Sequence, residues 1–338
     1  MRSHPLLVIA LLAASANVAP GATMGDASMR AAVVSPGRVQ VREVARPVAG
    51  SGQVLVQIRY AGVNPGDWKS AGGSPEDPTA AARPVTAFPI PGVDAAGVIA
   101  AVGAGVSGYK IGDAVIVWSQ AHGTYAQYVA VPVHSIALKP AGLSFAEAAG
   151  VAHAALAAWN LLVDQAKVHA GQTLLVLGGA GGVGSAAVQI ASNRGAHVIA
   201  TASARNADYL KALGVQTVID YNAHHFEDQL RNIDIALNTV DMDNAYRALA
   251  VLRRGGYLLS SVGLPAAAQC AARAVICAAR TPAGMRADLV LKQLADWSRA
   301  GVFKINIDRT FELADVLQAW QYSQSGHTRG KCVIRISD

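Results

Sequence analysis

The stretch that constrains this chain most is Thr173 to Ile190, TLLVLGGAGGVGSAAVQI. Its apolar run, Leu174 to Leu177, lies between Gly171 and Gly178, as in a short strand of a parallel sheet buried on both faces. A glycine cluster follows, Gly179-x-Gly181-x-x-Gly184, and Ser185 to Ala191 then reads as an alanine-rich helix. Strand, glycine turn and helix in that order make a dinucleotide site. The first glycine allows the tight turn. The second lets the backbone approach a diphosphate, and the third lets helix and strand pack closely. The diphosphate then rests on free N–H groups at the positive end of the helix.

The following strand, His197 to Ala202, bears on which dinucleotide is bound. In NAD sites this strand ends in an Asp or Glu that holds the ribose 2′-OH. Here the place is taken by Ser203, followed by Ala204, Arg205 and Asn206. No carboxylate is present to repel a 2′-phosphate, Ser203 can donate a hydrogen bond to it, and Arg205 can pair with it. The pattern favours NADP(H). The competing reading makes Arg205 a solvated residue at the start of the next helix, which leaves the missing acid as the sole argument.

At 338 residues the chain has room for two domains, and 52% hydrophobic against 15% charged residues is a compact globular balance. The net charge of +6 comes from scattered Lys and Arg, with no basic helix or aromatic-and-basic stripe. That argues against nucleic acid and suits an anionic cofactor. Of the three cysteines, Cys270, Cys277 and Cys332, none forms a C-x-x-C pair. Buried free thiols are the default, and a Cys270–Cys277 disulfide is expected only in an exported protein. Export is a live alternative. Arg2, the apolar run Leu6 to Ala14 and Ala14-Ser15-Ala16 have the form of a signal peptide, and the run is too short to span a bilayer. Met24 and Met29 are alternative starts, which would make residues 1–28 an upstream extension. Both readings stand. The use of a reduced nicotinamide favours the cytoplasm, and residues 1–28 are set outside the fold either way.

Arg30 to Val41 and Gln53 to Val63 read as β structure, with Val54, Val56 and Ile58 alternating with polar neighbours. Asn64-Pro65-Gly66-Asp67 is turn chemistry, and residues 71–91 read as a long surface loop. Further strands follow around Asp94 to Trp118, and one more opens at Gly123-Thr124-Tyr125. Ser144, with Glu147 three residues on, caps a long apolar helix. From Thr173 onward strands (173–178, 197–202, 216–219, 234–239, 256–261) alternate with helices (184–195, 206–213, 224–231, 243–252). This is a doubly wound parallel sheet. The tail has helices at 288–299 and 312–322, a β stretch at 304–308, and a final strand KCVIRI.

These residues resemble the zinc-independent, quinone oxidoreductase-like (enoyl reductase domain) branch of the medium-chain dehydrogenase/reductase superfamily. The markers are AGVNPGDWK (61–69), PGVDAAGVIAAVG (91–103), GDAVIVW (112–118), GTYAQYVAV (123–131), LVLGGAGGVGSAAVQIA (175–191), IDRTF (307–311) and SGHTRGKCVIRI (325–336). The resemblance implies an α/β chain: a chaperonin-10-like catalytic domain over 29–150, a Rossmann NADP-binding domain over 151–284, and a segment 285–338 that returns to the first domain. It places the cofactor between the two domains and implies a homodimer, for which CAARAVICAA (270–279) offers a pairing edge.

Zinc-dependent relatives hold their metal with Cys, His and Cys at positions that correspond here to Asn64, Val93 and His153, so the resemblance predicts no zinc. It implies an NADPH-dependent reductase of quinones or α,β-unsaturated carbonyl compounds. The alternatives are an NADP(H)-binding protein with little turnover and, third, an alcohol dehydrogenase. Asn64 and His153 are the candidate catalytic residues, Asn64 beside the nicotinamide and His153 as proton donor. The cofactor set is Asn64, Gly179, Gly181, Gly182, Val183, Gly184, Ser203, Arg205, Tyr221, Val262, Gly263 and Lys331, with Lys331 either reaching a phosphate or merely starting a strand. Asp67 reads as a local turn carboxylate, Trp68 and Trp118 as walls of an acceptor pocket or core, and Tyr125 and Tyr128 as packing residues in a strand. Ala157 stands where relatives carry a Thr.

Overall fold

A computed structural model describes residues 28–35, 38–70, 89–281 and 286–338. The expected loop is therefore outside the described residues over 71–88, as is nearly all of the leader.

The described residues open with a hairpin-like antiparallel pair, β1 (Ser28–Ser35) and β2 (Arg38–Ala45). Next come β3 (Gln53–Gly62), the short helix α1 (Pro65–Ser70), β4 (Asp94–Val102), β5 (Ala114–Trp118), β6 (Tyr128–Pro132) and β7 (Ile136–Leu138). Val54, Val56 and Ile58 of β3 are fully buried, as their alternation predicts. One edge of β3 pairs with β4, and the other is shared by β6 and the chain's last strand. The expected strand at Tyr125 begins three residues later, at Tyr128. Gly92 (φ +90°) and Gly123 (φ +97°) bend the two segments here, and Thr124 and Tyr125 donate backbone N–H groups to Gly92 and Pro91.

The helix α2 (Phe145–Trp159) links the two halves. Its capping box forms as predicted: Ser144 Oγ accepts from Glu147 N–H at 3.2 Å, and Glu147 Oε2 accepts from Ser144 N–H at 2.8 Å. A π-helical turn, Asn160–Gln165, continues it. Phe145–Gln165 is long and apolar enough to cross a membrane by length and composition, yet 72% of its apolar window is buried inside the protein, as in a core helix.

The second half alternates β8 (Thr173–Leu177), α3 (Gly182–Asn193), β9 (His197–Ala202), α4 (Ala207–Ala212), β10 (Thr217–Asp220), α5 (Phe226–Gln229), β11 (Ile233–Asn238), α6 (Met242–Ala248), β12 (Leu252–Ser260), α7 (Ala267–Ala272) and β13 (Ile276–Ala279). All neighbours are parallel in the order β10-β9-β8-β11-β12-β13. The order reverses between β8 and β11, which is the switch point where ligands bind in such sheets. The stretch 270–279 is a helix end plus the edge strand β13 rather than one apolar strand. Cys270 and Cys277 are joined in a disulfide across that turn, which corrects the free-thiol expectation for this pair; Cys332 is free and buried.

In the tail, α8 (Ala287–Arg299), β14 (Ile307–Glu312), α9 (Val316–Gln324) and β15 (Lys331–Arg335) follow in order. Strands β14 and β15 extend the first sheet, giving β14-β15-β3-β4-β5-β7. The chain thus crosses the boundary twice, and a bridge between Gly181 and Gly330 ties the glycine loop to the start of β15.

Candidate active site

The glycine loop meets its expectations in outline and shifts one role. Gly178, at φ +82°, makes the tight turn after β8. Gly179 instead packs against Ala200 and Leu210, where an added Cβ would lie 2.8 Å from Ala200 Cβ. Gly184 serves helix–strand packing as predicted, since its added Cβ would sit 2.2 Å from the Gly178 carbonyl oxygen. Gly181 is the residue before α3 and leaves open space, its added Cβ meeting only Gly178 O at 3.6 Å. The first turn of α3 has backbone N–H groups without intrahelical acceptors, and Gly181, Gly182 and Val183 line a cavity of about 380 Å³. An anionic diphosphate fits this cradle in shape and sign.

Past the end of β9, Ser203 is half-buried and Arg205 exposed. Ser203 Oγ accepts from Asn206 Nδ2 at 3.1 Å, and Arg205 donates to the His327 carbonyl at 3.2 Å. Sequence reading missed Arg329, which donates to Asn206 Oδ1 at 2.8 Å and to the Arg205 carbonyl at 3.0 Å. Two guanidinium groups thus adjoin the end of β9. Tyr221 stands past β10, 53% exposed. At the other end Val262 lines the cavity, while Gly263 lies behind it with its added Cβ 2.6 Å from Met242 Sδ.

The floor of the cavity on the β-domain side is a buried polar cluster drawn from separate elements. Asn64, between β3 and α1, donates through Nδ2 to Asp94 Oδ1 at 2.6 Å, and its Oδ1 accepts from Lys331 Nζ. Lys331 Nζ also donates to the Val63 carbonyl at 2.7 Å and lies 3.9 Å from Asp94 Oδ2. Lys331 lines the cavity, but its ammonium is engaged with Asn64 and Asp94. Of its two expected roles, it does start a strand, β15, and its ammonium is held against Asn64. Gly62 makes room for this arrangement, because a Cβ there would meet Asp94 Oδ1 at 2.7 Å. Burial pushes the Asp94 carboxyl up, and the Lys331 charge opposes that shift.

Asp67 holds the Asn64 turn as expected, accepting from Asn64 N–H at 2.8 Å. It also accepts from the Tyr125 hydroxyl at 2.8 Å, so Tyr125 is part of the polar cluster and not packing alone. Burial and the neighbouring Asp94 charge push Asp67 up to about 7. His153, on α2, lines the cavity, and its Nδ1 has no partner among the described residues. Burial first, then the Arg280 and Lys331 charges, bring it down to about 3. The ring is therefore neutral at pH 7, so what it has to offer is a neutral N–H rather than an imidazolium proton. Trp118 does wall a chamber of about 210 Å³ next to His153, whereas Trp68 packs into the β-domain core. Ala157 lines the cleft.

Residues 50–141 match the alcohol dehydrogenase GroES-like domain family, and residues 213–334 match a family described as zinc-binding dehydrogenase. The chain is 34% identical over 310 residues to 2-methylene-furan-3-one reductase from Solanum lycopersicum, covering 86% of this chain and 74% of that one. The chain belongs to the medium-chain dehydrogenase/reductase superfamily. Its relatives there are quinone and enone oxidoreductases. The chloroplastic NADPH-dependent alkenal/one oxidoreductase of Arabidopsis thaliana is 32% identical over 299 residues, 83% of this chain and 72% of that one. A quinone oxidoreductase from Coxiella burnetii superposes with a TM-score of 0.81 at 28% identity, over 92% of this chain and all of that one. Fold class and superfamily thus agree with the sequence expectation.

One matching family is described as zinc-binding, so the donor set needs testing against zinc. A catalytic zinc takes three protein ligands. At the three positions this chain offers Asn64, whose amide is committed on both sides, Val93, which has no donor, and His153. Among the described residues no group of three or more His, Cys, Asp or Glu is arranged to hold a metal. The set does not fit zinc.

The cluster predicts a pH effect. The raised Asp67 value means that the folded state holds a proton the unfolded chain releases near pH 4. Asp67's contribution to stability therefore falls as pH rises from about 4 through about 7. Asp67→Asn keeps an acceptor for Asn64 and Tyr125 and removes the titration. Urea unfolding at about pH 5 and pH 8 should show the variant gaining on the wild type by a few kcal/mol at the higher pH. Parallel pH dependences would sink the assignment.

Proposed function

We propose that this oxidoreductase uses NADPH, without zinc, to reduce quinones or α,β-unsaturated carbonyl compounds. The observation that carries the reading is a pair of adjoining cavities. One reaches from the α3 N-terminus to Asn64 and His153, and the other lies beside Trp118, with Asn64, Gly66, His153 and Arg280 lining both. The two plant relatives, named for reduction of a methylene-furanone and of alkenals and enones, support the acceptor class. The name of the second supports NADPH, and so do Ser203, Arg205 and Arg329 at the end of β9.

Bound NADPH would supply hydride to an acceptor that is electrophilic without a metal. Gly181, Gly182 and Val183 would hold its diphosphate, and Ser203 with Arg205 its 2′-phosphate. Asn64, locked by Lys331 and Asp94, presents a preoriented amide to the reacting face. His153 donates a neutral N–H to the oxygen that gains negative charge as the acceptor is reduced. Trp118 and α2 screen that oxygen from water. We further propose a homodimer through β13, the outer strand of its sheet, where Ile276 is exposed. The Cys270–Cys277 disulfide supports export as an alternative to the cytoplasm, since such bonds persist in oxidising compartments.

The test is loss of reduced-nicotinamide absorbance with a quinone, a short enone or no acceptor, using NADPH and NADH in parallel. We expect acceptor-dependent oxidation with NADPH preferred at least tenfold, and Arg205→Ala narrowing that preference by about tenfold through loss of a charge-assisted contact. NADPH binding without consumption by any acceptor would favour a binding protein instead. Equal use of NADH would refute the assignment of Ser203 and Arg205.

A further inference from the structure

Arg280 is the first residue past the edge strand β13 and lines both the cofactor cavity and the chamber beside Trp118. Its guanidinium is half-buried, and no described residue offers it a hydrogen bond or an ion pair. Burial lowers its pKa, but an arginine stays cationic. A cation drawn away from water without an acceptor costs stability, and the chain maintains that arrangement with care.

The backbone is clamped on both sides of Arg280. The Ala279 carbonyl accepts from Gln165 Nε2 at 3.0 Å, and the Thr281 N–H donates to Asn160 Oδ1 at 3.0 Å. Gln165 Nε2 also donates to Asn160 Oδ1 at 3.0 Å, so the two clamps brace each other. Both belong to the π-helical turn that ends α2, and such wide turns are frequent at functional sites. Asn160 lies seven residues after His153, two turns along the same helix face. The Cys270–Cys277 disulfide fixes β13 three residues before Arg280. One helix thus carries a neutral donor, His153, and the braces of a cation, Arg280, and both border the same chamber of about 210 Å³. The carboxyl group that borders it, Asp67, is occupied by Asn64 and Tyr125.

We infer that Arg280 is an anion subsite of the acceptor pocket, and that the preferred acceptor is an unsaturated ketone or a quinone bearing a carboxylate. A guanidinium fork meets a carboxylate through two parallel hydrogen bonds and so fixes orientation as well as charge. With the carboxylate on Arg280, the carbonyl oxygen remains for His153. This inference rests on the reductase reading proposed above.

The experiment compares 4-oxopent-2-enoate with its methyl ester, acceptors that differ in charge at one end. Full-length protein is assayed with NADPH, and binding of both compounds to NADP⁺-saturated protein is measured alongside. We expect kcat/KM at least about tenfold higher for the acid. Arg280→Gln should bring the ratio to about one, chiefly by raising KM for the acid, and Arg280→Lys should restore part of it. A wild-type ratio near one overturns the subsite. So does an Arg280→Gln variant that keeps the ratio and raises KM for NADPH, which would assign the cation to the cofactor. If the acid binds in an Arg280-dependent way but neither compound oxidises NADPH, the subsite stands and the reductase reading falls.

Discussion

Gly184→Ala should weaken NADPH binding by about a hundredfold or more and destabilise the protein by roughly 1–3 kcal/mol. The added Cβ would lie 2.2 Å from Gly178 O, 2.9 Å from Gly178 C and 2.9 Å from Gly179 Cα. All three are backbone atoms of the turn that feeds α3, so no flexible side chain can yield. The helix must move out by about 1 Å to reach ordinary contact, and its first N–H groups leave the diphosphate cradle with it. The displacement also strains the tail, because Gln189 of α3 exchanges two hydrogen bonds with Lys304, at 3.0 Å and 2.7 Å. Gly181→Ala is the control. Its backbone (φ −75°, ψ 177°) accepts alanine and its Cβ would have only one protein neighbour, at 3.6 Å. That variant should keep the wild-type Tm and still lose NADPH affinity, because its methyl group enters the space of the diphosphate. Thermal unfolding and fluorescence titration with NADPH check both. Tight binding by Gly184→Ala would mean that α3 does not hold the cofactor.

The same loop shows why some of the site was legible in the sequence. Gly184, Gly181 and the α2 capping box are local: a few adjacent residues fix both the backbone path and the residue types it admits. Even there, the turn role belongs to Gly178 rather than Gly179, which joins Gly184 in packing, because φ at adjacent glycines is set by the strand and helix they join. The polar cluster was not legible in that way. Asn64, Asp94, Tyr125, His153 and Lys331 are drawn from both ends of the chain, and the hydrogen bond from Lys331 to Val63 spans 268 positions. Lys331 had two readings in the sequence, since four side-chain torsions let an ammonium face either a phosphate or the protein. Arg280 and Arg329 carried no signal beyond a cation beside a strand. The clamps that make Arg280 notable come from a π-turn that no residue pattern announces. Short helices were overextended for a related reason: α5 spans Phe226–Gln229 where eight residues were expected, because helix length is set by packing once propensity is weak.

Lys331→Met should cost about 3–5 kcal/mol of stability at neutral pH, the usual penalty for stripping the partner from a buried charge. Lys331 and Asp94 are both buried, and Asp94 is left with neutral donors, Asn64 Nδ2 at 2.6 Å and the His153 N–H at 3.2 Å among them, once the ammonium is gone. Burial already raises the Asp94 pKa, and Lys331 is the largest influence that lowers it. Its loss raises the folded-state value further. Because a carboxyl with a raised folded pKa loses stability as pH climbs from its unfolded value through its folded one, the variant's deficit should grow between about pH 5 and pH 8. Asp94→Asn in the same chain removes the orphaned charge. The double variant should recover at least half of the loss and show a flatter pH dependence. Its turnover should remain low, since Asn64 Oδ1 would lack the donor that orients the amide. Stability returning without activity would separate the two roles of Lys331, balancing Asp94 and aiming Asn64. A single variant that unfolds like the double at both pH values would show that Asp94 takes up no proton when Lys331 is gone, and would remove the Lys331–Asp94 pairing as a source of stability.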